Sequence, residues 1–192
     1  MTRIFKAVLC LCLTSSLLSY RTSAQTDDSK DASKSCRGFT QSFYDWYVPI
    51  VLKDGSRRAV KRVLDDRNRE LGSNLRRLLQ QDSHAQDVAD KGPGGYIVGL
   101  DFDPFLSGQD FDGHYQVGKS TAKGGSCFAE VFGRSSVSGQ LEEHPEVIAE
   151  VTHSGDEWRI VNVHYPRYGQ GKTLVTILRD LQKTRQEHPL PK

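Results

Sequence analysis

Apolar side chains recur every three or four positions along residues 36–88, a spacing that places them on one face of a helix. The first stretch is expected to end near Pro49, because proline lacks the backbone N–H that a continuing helix uses. Further stretches lie over 56–65 and 73–88, the second with Ser73 as its N-cap. The pattern predicts three N-terminal helices, the first with this apolar face: Phe39, Phe43, Trp46, Tyr47 and Ile50.

The hydrophobic period changes to two after KGPGG at 91–95, a sequence typical of a break between elements. Alternation of apolar and polar residues predicts strands rather than helices. The predicted elements are strands around 115–117, 127–132, 146–151 and 158–165, a tight turn over 153–156 and a closing helix over 173–183. This order predicts an α+β fold, in which N-terminal helices pack on a curved antiparallel sheet of about four strands and a C-terminal helix follows.

The N-terminus has the features of a secretory signal peptide. Arg3 and Lys6 precede an apolar run over 7–19 that is too short to span a membrane, and small residues at 22–24 form a cleavage pattern. We therefore expect cleavage near Ala24 and a periplasmic or secreted protein. The predicted organisation has three parts: a signal peptide over 1–24, a polar linker over 25–35 and a single α+β domain of unknown function over 36–192.

The charge balance argues against nucleic acid as a partner. Three of the 26 basic residues, Arg3, Lys6 and Arg21, lie in the predicted signal, so 23 basic residues remain against 24 acidic ones. The mature chain then has a net charge of −1 and no strong attraction to nucleic acid or anionic lipid. Export also argues against ATP and NAD as ligands. No cofactor and no membrane span are predicted.

Two segments resemble phosphate-binding loops without meeting the full requirement. GHYQVGKS at 113–120 has the residues, but its interior HYQV is typical of a strand. GQGKT at 169–173 lies between a predicted strand and helix, but Pro166 stands where the first glycine belongs. A phosphate loop needs both the glycines and the helix N-terminus behind them. Nucleotide binding is therefore not predicted.

Cysteine usage predicts one disulfide. Cys10 and Cys12 lie in the apolar signal run, which leaves Cys36 and Cys127 in the mature chain. In an oxidising compartment two such cysteines most simply pair with each other. Two buried free thiols are the alternative.

Residues 100–112, LDFDPFLSGQDFD, are the most distinctive segment of the mature chain. The segment contains four aspartates: Asp101, Asp103, Asp110 and Asp112. Carboxylate oxygens are ligands that calcium prefers, but the spacing does not fit an EF-hand loop and an apolar run at 104–106 interrupts it. We therefore favour a structural loop whose aspartates cap turns and whose apolar residues reach the core. No metal site is predicted.

Polar residues on the predicted strands raise acid–base catalysis as an alternative to binding: His114, Glu130, Glu150, Asn162 and His164. His164 with Asp103 or Asp110 is the candidate pair of a base and its orienting group. The other interpretation of His164 is a hydrogen-bonded sheet histidine. Spacing alone does not bring these groups together, so the sequence favours a protein without catalytic activity.

Three segments carry a family resemblance: FYDWY at 43–47, DFDPFL at 101–106 with Gln109 and Asp110, and WRIVNVHY at 158–165. Together they resemble the bacterial exported family catalogued as domain-of-unknown-function 3828, over about residues 38–181. The resemblance implies a nuclear-transport-factor-2-like (cystatin-like) α+β fold, in which helices pack on a strongly curved sheet to form a cone. It also implies export, and no activity. The helix predicted after Tyr165 departs from that pattern.

The sequence favours an exported, non-catalytic domain that binds a small ligand or an extracytoplasmic protein through the cone. The binding candidates are Tyr44, Trp46, Asp101, Asp103, Gln109 and Asp110. Two alternatives stay open. One is an inhibitor or immunity protein of a cell-wall-degrading enzyme, which presents residues 101–112 as an acidic plug. The other is a hydrolase or lyase that uses the His–Asp pair in the cone.

Overall fold

The computed structural model describes residues 24–92, 98–135, 137–169 and 171–188. The predicted signal peptide lies outside the described residues, except for Ala24. The elements are helices α1 (Ala24–Asp54), α2 (Ser56–Asp66) and α3 (Ser73–Ala89), strands β1 (His114–Lys123), β2 (Ser126–Arg134), β3 (Val147–Ser154) and β4 (Glu157–His164), and helix α4 (Leu174–Glu187). This order confirms the predicted α+β fold. None of the described helices is long and apolar enough to cross a bilayer.

The four strands form one antiparallel sheet in the order β1-β2-β3-β4. The predicted turn between β3 and β4 is confirmed, with Gly155 at a φ of 65°. Buried and half-buried residues alternate along β2, as expected for a strand with one face in the core. Cys127, Ala129 and Val131 are on the buried face, which faces α1.

Aromatic side chains fill the space between α1 and the sheet. Phe43 and Tyr47 of α1 stack with ring centroids 5.5 Å apart, and Phe105 lies 5.1 Å from each of them. All three are fully buried. Large aromatic side chains contribute much of the apolar area that a domain of this size buries. The interior that the sequence suggested as a binding cone is therefore packed with side chains at this position.

Helix α1 is longer than predicted at both ends. It includes the predicted linker over 25–35 and continues past Pro49 to Asp54. Pro49 is exposed, so water can solvate the carbonyl that loses its partner. Contacts to the sheet hold the N-terminal part: the Ser33 hydroxyl donates to the Ser120 carbonyl at 2.6 Å, and Trp158 donates to the Ser35 hydroxyl at 2.9 Å. These contacts come from distant residues, which a local pattern does not show.

The predicted disulfide is confirmed. Cys36 of α1 is bonded to Cys127 of β2, across a sequence separation of 91 residues. Both cysteines are buried. The bond fixes α1 covalently to the second strand of the sheet.

Helix α1 also protects the edge strand β1. The Gln41 side chain accepts a hydrogen bond from the Val117 N–H at 2.7 Å and donates one to the Tyr115 carbonyl at 3.0 Å. Arg37 donates to the Val117 carbonyl at 3.0 Å. Unpaired backbone groups on an edge strand are a template for pairing with another chain. The Gln41 amide occupies two of these groups as a neighbouring peptide would.

The helix starts were predicted with mixed success. Thr173 is the N-cap of α4, where its hydroxyl accepts from the Thr176 N–H in a capping box. The N-cap of α3 is Gly72, not the predicted Ser73. A Cβ at position 72 would lie 2.9 Å from a methyl carbon of Val161. The close approach of this turn to β4 therefore favours glycine, and the helix begins at Ser73, one residue earlier than a cap at Ser73 would place it.

Candidate functional site

The acidic loop, residues 100–112, is anchored to α1 by two tyrosine hydroxyls. Tyr44 Oη donates to the Phe105 carbonyl at 2.9 Å. Tyr47 Oη donates to Asp103 Oδ2 at 2.9 Å. Burial and the nearby Asp103 carboxylate raise the pKa of both phenols well above the ordinary value. The hydroxyls therefore keep their protons and act as donors.

Two further tyrosines anchor the loop from the segment that follows β4. Tyr165 Oη donates to the Pro104 carbonyl at 2.8 Å, and Tyr168 Oη donates to the Ser107 carbonyl at 2.9 Å. Tyr165 is buried, whereas Tyr168 is 59% exposed. Four hydroxyls from two distant parts of the chain thus hold residues 103–107 in place.

Asp103 holds the loop together from inside. Its Oδ1 accepts hydrogen bonds from the backbone N–H groups of Phe105 and Leu106, both at 2.9 Å. The residue is fully buried. Burial raises the pKa of this carboxyl, and the hydrogen bonds from Ser56, Phe105 and Tyr47 partly offset the increase. Asp103 is therefore a structural residue of the loop, and its predicted role as a contact for a ligand stays a prediction.

The turn of the loop is strained and closed by its own backbone. Ser107 has a φ of 68°, a conformation that costs a residue with a side chain about 1–2 kcal/mol. The Ser107 N–H donates to the Asp103 carbonyl, and the Asp103 N–H donates to the Gly108 carbonyl, both at 2.9 Å. A strained residue persists only where its surroundings determine the conformation. Here the surroundings are the tyrosine anchors.

The outer side of the loop presents polar side chains to solvent. Asp101, Gln109 and Asp110 are exposed. Gln109 Nε2 donates to the Asp101 carbonyl at 2.8 Å, which fixes the two ends of the turn. Within the described part of the chain, Asp101 and Asp110 form no ion pair. The loop therefore presents two uncompensated carboxylates on a fixed backbone.

A cavity of about 460 Å³ lies between the acidic loop and helices α2 and α3. Its apolar lining includes Val60, Phe102 and Phe111, and its polar lining includes Gln86, Asp101 and Gln109. The volume falls in the range of pockets that bind small molecules.

Buried polar contacts make the back wall of this cavity rigid. Asp82 accepts hydrogen bonds from Gln86 Nε2 at 2.8 Å and from Arg185 Nη1 of α4 at 2.7 Å. The Leu100 N–H also donates to Asp82, at 3.2 Å. A Cβ at position 99 would lie 2.5 Å from Gln86 Nε2, so any residue larger than glycine there would displace the Gln86 side chain. Helices α3 and α4 and the start of the loop are thereby joined at one carboxylate.

A second cavity of about 400 Å³ lies on the other side of the loop. Asp112, Glu146, Arg167 and Tyr168 are part of its lining, and Gly108 is common to both cavities. Arg167 forms an ion pair with Glu146 at 2.9 Å. Burial raises the pKa of Asp112 and of Glu146; neighbouring carboxylates add to the increase, and the Arg167 guanidinium opposes it. The acidic loop is therefore a ridge between two cavities.

Two predicted aromatic contacts lie away from this ridge surface. Tyr44 is 1% exposed and packs in the core, so a ligand cannot reach its ring. Trp46 is half-buried, and the Arg67 guanidinium lies over it, 4.6 Å from the ring centroid. The predicted role of Tyr44 in ligand contact is thus corrected. Its hydroxyl acts instead on the backbone of the loop.

The predicted catalytic pair is not formed. His164 Nε2 lies 2.9 Å from Glu150 Oε2, and its ring centroid lies 5.7 Å from that of Phe128. Glu150 and His164 are on the sheet face opposite to the buried residues that contact α1. Asp103 is on the α1 side of the sheet, where Tyr47 holds it. His164 therefore matches the interpretation as a hydrogen-bonded sheet histidine.

Other chemistries receive no support from the geometry. The segment GHYQVGKS lies almost entirely in strand β1, so its glycines do not form a phosphate-binding turn. No group of three or more histidine, cysteine or acidic residues suited to a metal ion occurs among the described residues.

Four residues that shape the site from outside the loop were not predicted from the sequence. Gln86, Tyr165, Tyr168 and Arg185 come from α3, from the segment after β4 and from α4. Tyr165 and Tyr168 each lie 61 positions from the loop carbonyl that they contact, and Gln86 and Arg185 meet at Asp82. Tyr165 was part of the WRIVNVHY segment, but its role depends on a contact across a separation of 61 residues. Local periodicity carries no signal for such a contact.

Comparison with known proteins identifies no family. No family model matches the chain, and no curated protein matches it. One solved structure that is similar is a chain of the type VI native effector–immunity complex Tae3–Tai3 from Ralstonia pickettii. The identity is 19% over 65% of this chain and 89% of that chain, with a TM-score of 0.39. A similarity this low assigns neither a function nor a family, and the resemblance to the exported family stays a prediction.

Proposed function

We propose that this protein is an exported, non-catalytic binding domain that recognises a basic partner protein through its acidic loop. The observation that carries the proposal is the anchoring of the loop by four tyrosine hydroxyls, from Tyr44, Tyr47, Tyr165 and Tyr168. A loop that only connects two elements does not need four side-chain anchors from distant parts of the chain.

Preorganisation supports a role in binding. A flexible loop loses conformational entropy when it binds, at a cost of about 0.5–1.5 kcal/mol for each immobilised side chain. The acidic loop is already fixed, because Asp103 caps its turn and Gln109 ties its ends together. Its exposed carboxylates can therefore meet a partner without further ordering of the backbone.

The charge of the loop supports a basic partner. Residues 100–112 contain four aspartates and no lysine or arginine. Asp103 is buried, while Asp101 and Asp110 are exposed. A surface of one sign attracts the opposite sign, and it gives association that weakens as salt increases. An inhibitor or immunity protein that blocks a basic active site of a cell-wall-degrading enzyme is the specific form of this proposal.

Capture of the partner tests the proposal. The full chain, exported and tagged at its C-terminus, is crosslinked in an extracytoplasmic extract of the source organism, and captured proteins are identified by mass spectrometry. The wild-type protein is compared with D101N/D110N and with D65N/D156N. The second variant makes the same charge change at two exposed aspartates outside the loop.

One stoichiometric partner is expected with the wild type and with D65N/D156N. The partner should be lost with D101N/D110N and in high salt. Equal capture by all three proteins, or capture of no protein, contradicts the proposal.

A further inference from the structure

The cavity between the acidic loop and helices α2 and α3 presents a carboxylate and two amide oxygens. The Gln86 amide group donates one hydrogen bond to Asp82, and the Gln109 amide group donates one to the Asp101 carbonyl. Among the described residues, the side-chain oxygens of Gln86, Gln109 and Asp101 accept no hydrogen bond. Both amide oxygens can therefore accept from a ligand. Together with the Asp101 carboxylate, they suit a ligand with several N–H donors.

The cation in the lining does not reverse this preference. Arg57 lines the cavity, and among the described residues its Nε–H has no hydrogen-bond partner, but its Nη1 and Nη2 atoms form ion pairs with Asp90 and Asp87. Its positive charge is therefore balanced by carboxylates that are not part of the lining. Asp101 lines the same cavity without an ion pair among the described residues, so a negative charge remains there.

The walls between the polar groups are apolar. Val60 of α2 and Phe102 and Phe111 of the acidic loop line the cavity. Such walls pack against methylene groups, as the stems of lysine and arginine do when their charged ends stay near polar atoms. An aromatic face is also favourable for a nearby cation.

We propose that this cavity receives a long basic side chain, of lysine or arginine, from the partner protein. The inference rests on the proposed function, because it places one side chain of that partner beside the acidic loop. The apolar walls contact the aliphatic stem. The Asp101 carboxylate and the amide oxygens of Gln86 and Gln109 accept hydrogen bonds from the charged end.

The test uses a short peptide as the probe. Acetyl-Gly-Lys-Gly-amide is titrated into the full mature chain, and binding is followed by the backbone amide shifts in two-dimensional NMR. The neutral control replaces lysine with norleucine, which keeps the methylene stem. Saturable shifts are expected at Val60, Leu100 and Phe102, with affinity about fivefold higher for the lysine peptide. D101N should reduce this preference.

Two variants separate the cavity from the rest of the loop. S83L places a larger side chain in the lining and should abolish the shifts, whereas Q80L introduces the same leucine on the exposed side of the same helix. An absence of saturable shifts, or equal affinity for the norleucine peptide, overturns the inference. Saturable shifts that persist in S83L also overturn the inference.

Partner capture distinguishes this inference from the proposed function. Asp110 lies outside the lining of the cavity. If D110N loses the captured partner and S83L retains it fully, the acidic loop is the binding surface and the cavity is not part of it. Loss in both variants, with retention in Q80L, is the result expected for insertion of a basic side chain.

Discussion

Tyr47 on helix α1 donates a hydrogen bond to Asp103 in the acidic loop, with 2.9 Å between Oη and Oδ2, across 56 positions of sequence. The contact joins the packed core to the exposed ridge. Asp103 uses its other oxygen to cap the loop turn. The position of the exposed carboxylates therefore depends on a residue that belongs to the core.

We expect Y47F to destabilise the protein and to loosen the acidic loop. The substitution keeps the ring but leaves Asp103 Oδ2 without its phenol donor, at a cost of about 1–3 kcal/mol. Urea denaturation measures the free energy of unfolding, and hydrogen exchange measures the protection of the Phe105 and Leu106 amides. Y168F removes a hydroxyl from a largely exposed tyrosine and should cost less. Equal effects of the two variants would count against the special role of Tyr47.

The disulfide should contribute strongly to stability. In the chain-entropy model, closing a loop of this length is worth about 4–5 kcal/mol, because it restricts the unfolded chain. Unfolding with and without reductant, and of C36A/C127A, measures this contribution. A difference below about 1 kcal/mol would show that the unfolded chain keeps these segments together without the bond.

The pH dependence of stability should reflect Asp103. Burial raises the pKa of this carboxyl in the folded protein, so folding favours its protonated form. Its contribution to stability is fully present below the ordinary pKa of about 3.9 and is lost as pH rises through the higher folded-state value. The free energy of unfolding should therefore fall between about pH 4 and pH 7, and it should fall less in D103N than in the wild type. D65N, an exposed aspartate elsewhere, should behave like the wild type.

Removing the side chain that covers the sheet edge should promote self-association. Q41A frees the Val117 N–H and the Tyr115 carbonyl on strand β1, and exposed edge groups pair with other chains. Light scattering after size exclusion should show concentration-dependent dimers or larger species. S42A changes the next residue, which is exposed, and it should show the same oligomeric state as the wild type. A monomeric Q41A at high concentration would show that Arg37 alone protects the edge.

The fold was largely predictable, because it follows from local periodicity. The spacing of Phe39, Phe43 and Tyr47 indicated a helix, and the alternation along β2 indicated a strand with one buried face. The extent of α1 was not predictable in the same way. Its polar N-terminal residues are helical where Ser33 and Ser35 contact the sheet, and such contacts come only from the folded chain.

The site was only partly predictable. Composition singled out the acidic loop, but four similar aspartates have different surroundings. Asp103 is buried and caps the loop turn, whereas Asp101 and Asp110 are exposed. The difference arises from Tyr47, Tyr165 and the other anchors, which lie far away in sequence. Burial of a polar residue depends on tertiary partners, and a single sequence does not give them.

The central claim is that the exposed carboxylates of the acidic loop bind the partner. The most direct measurement is the dissociation constant of the captured partner over a range of salt concentrations, for the wild type and for D101N/D110N. We expect wild-type binding to weaken steeply as the salt concentration rises. The variant should bind weakly at low salt, and its affinity should change little with added salt. The same affinity and the same salt dependence for both proteins would contradict it.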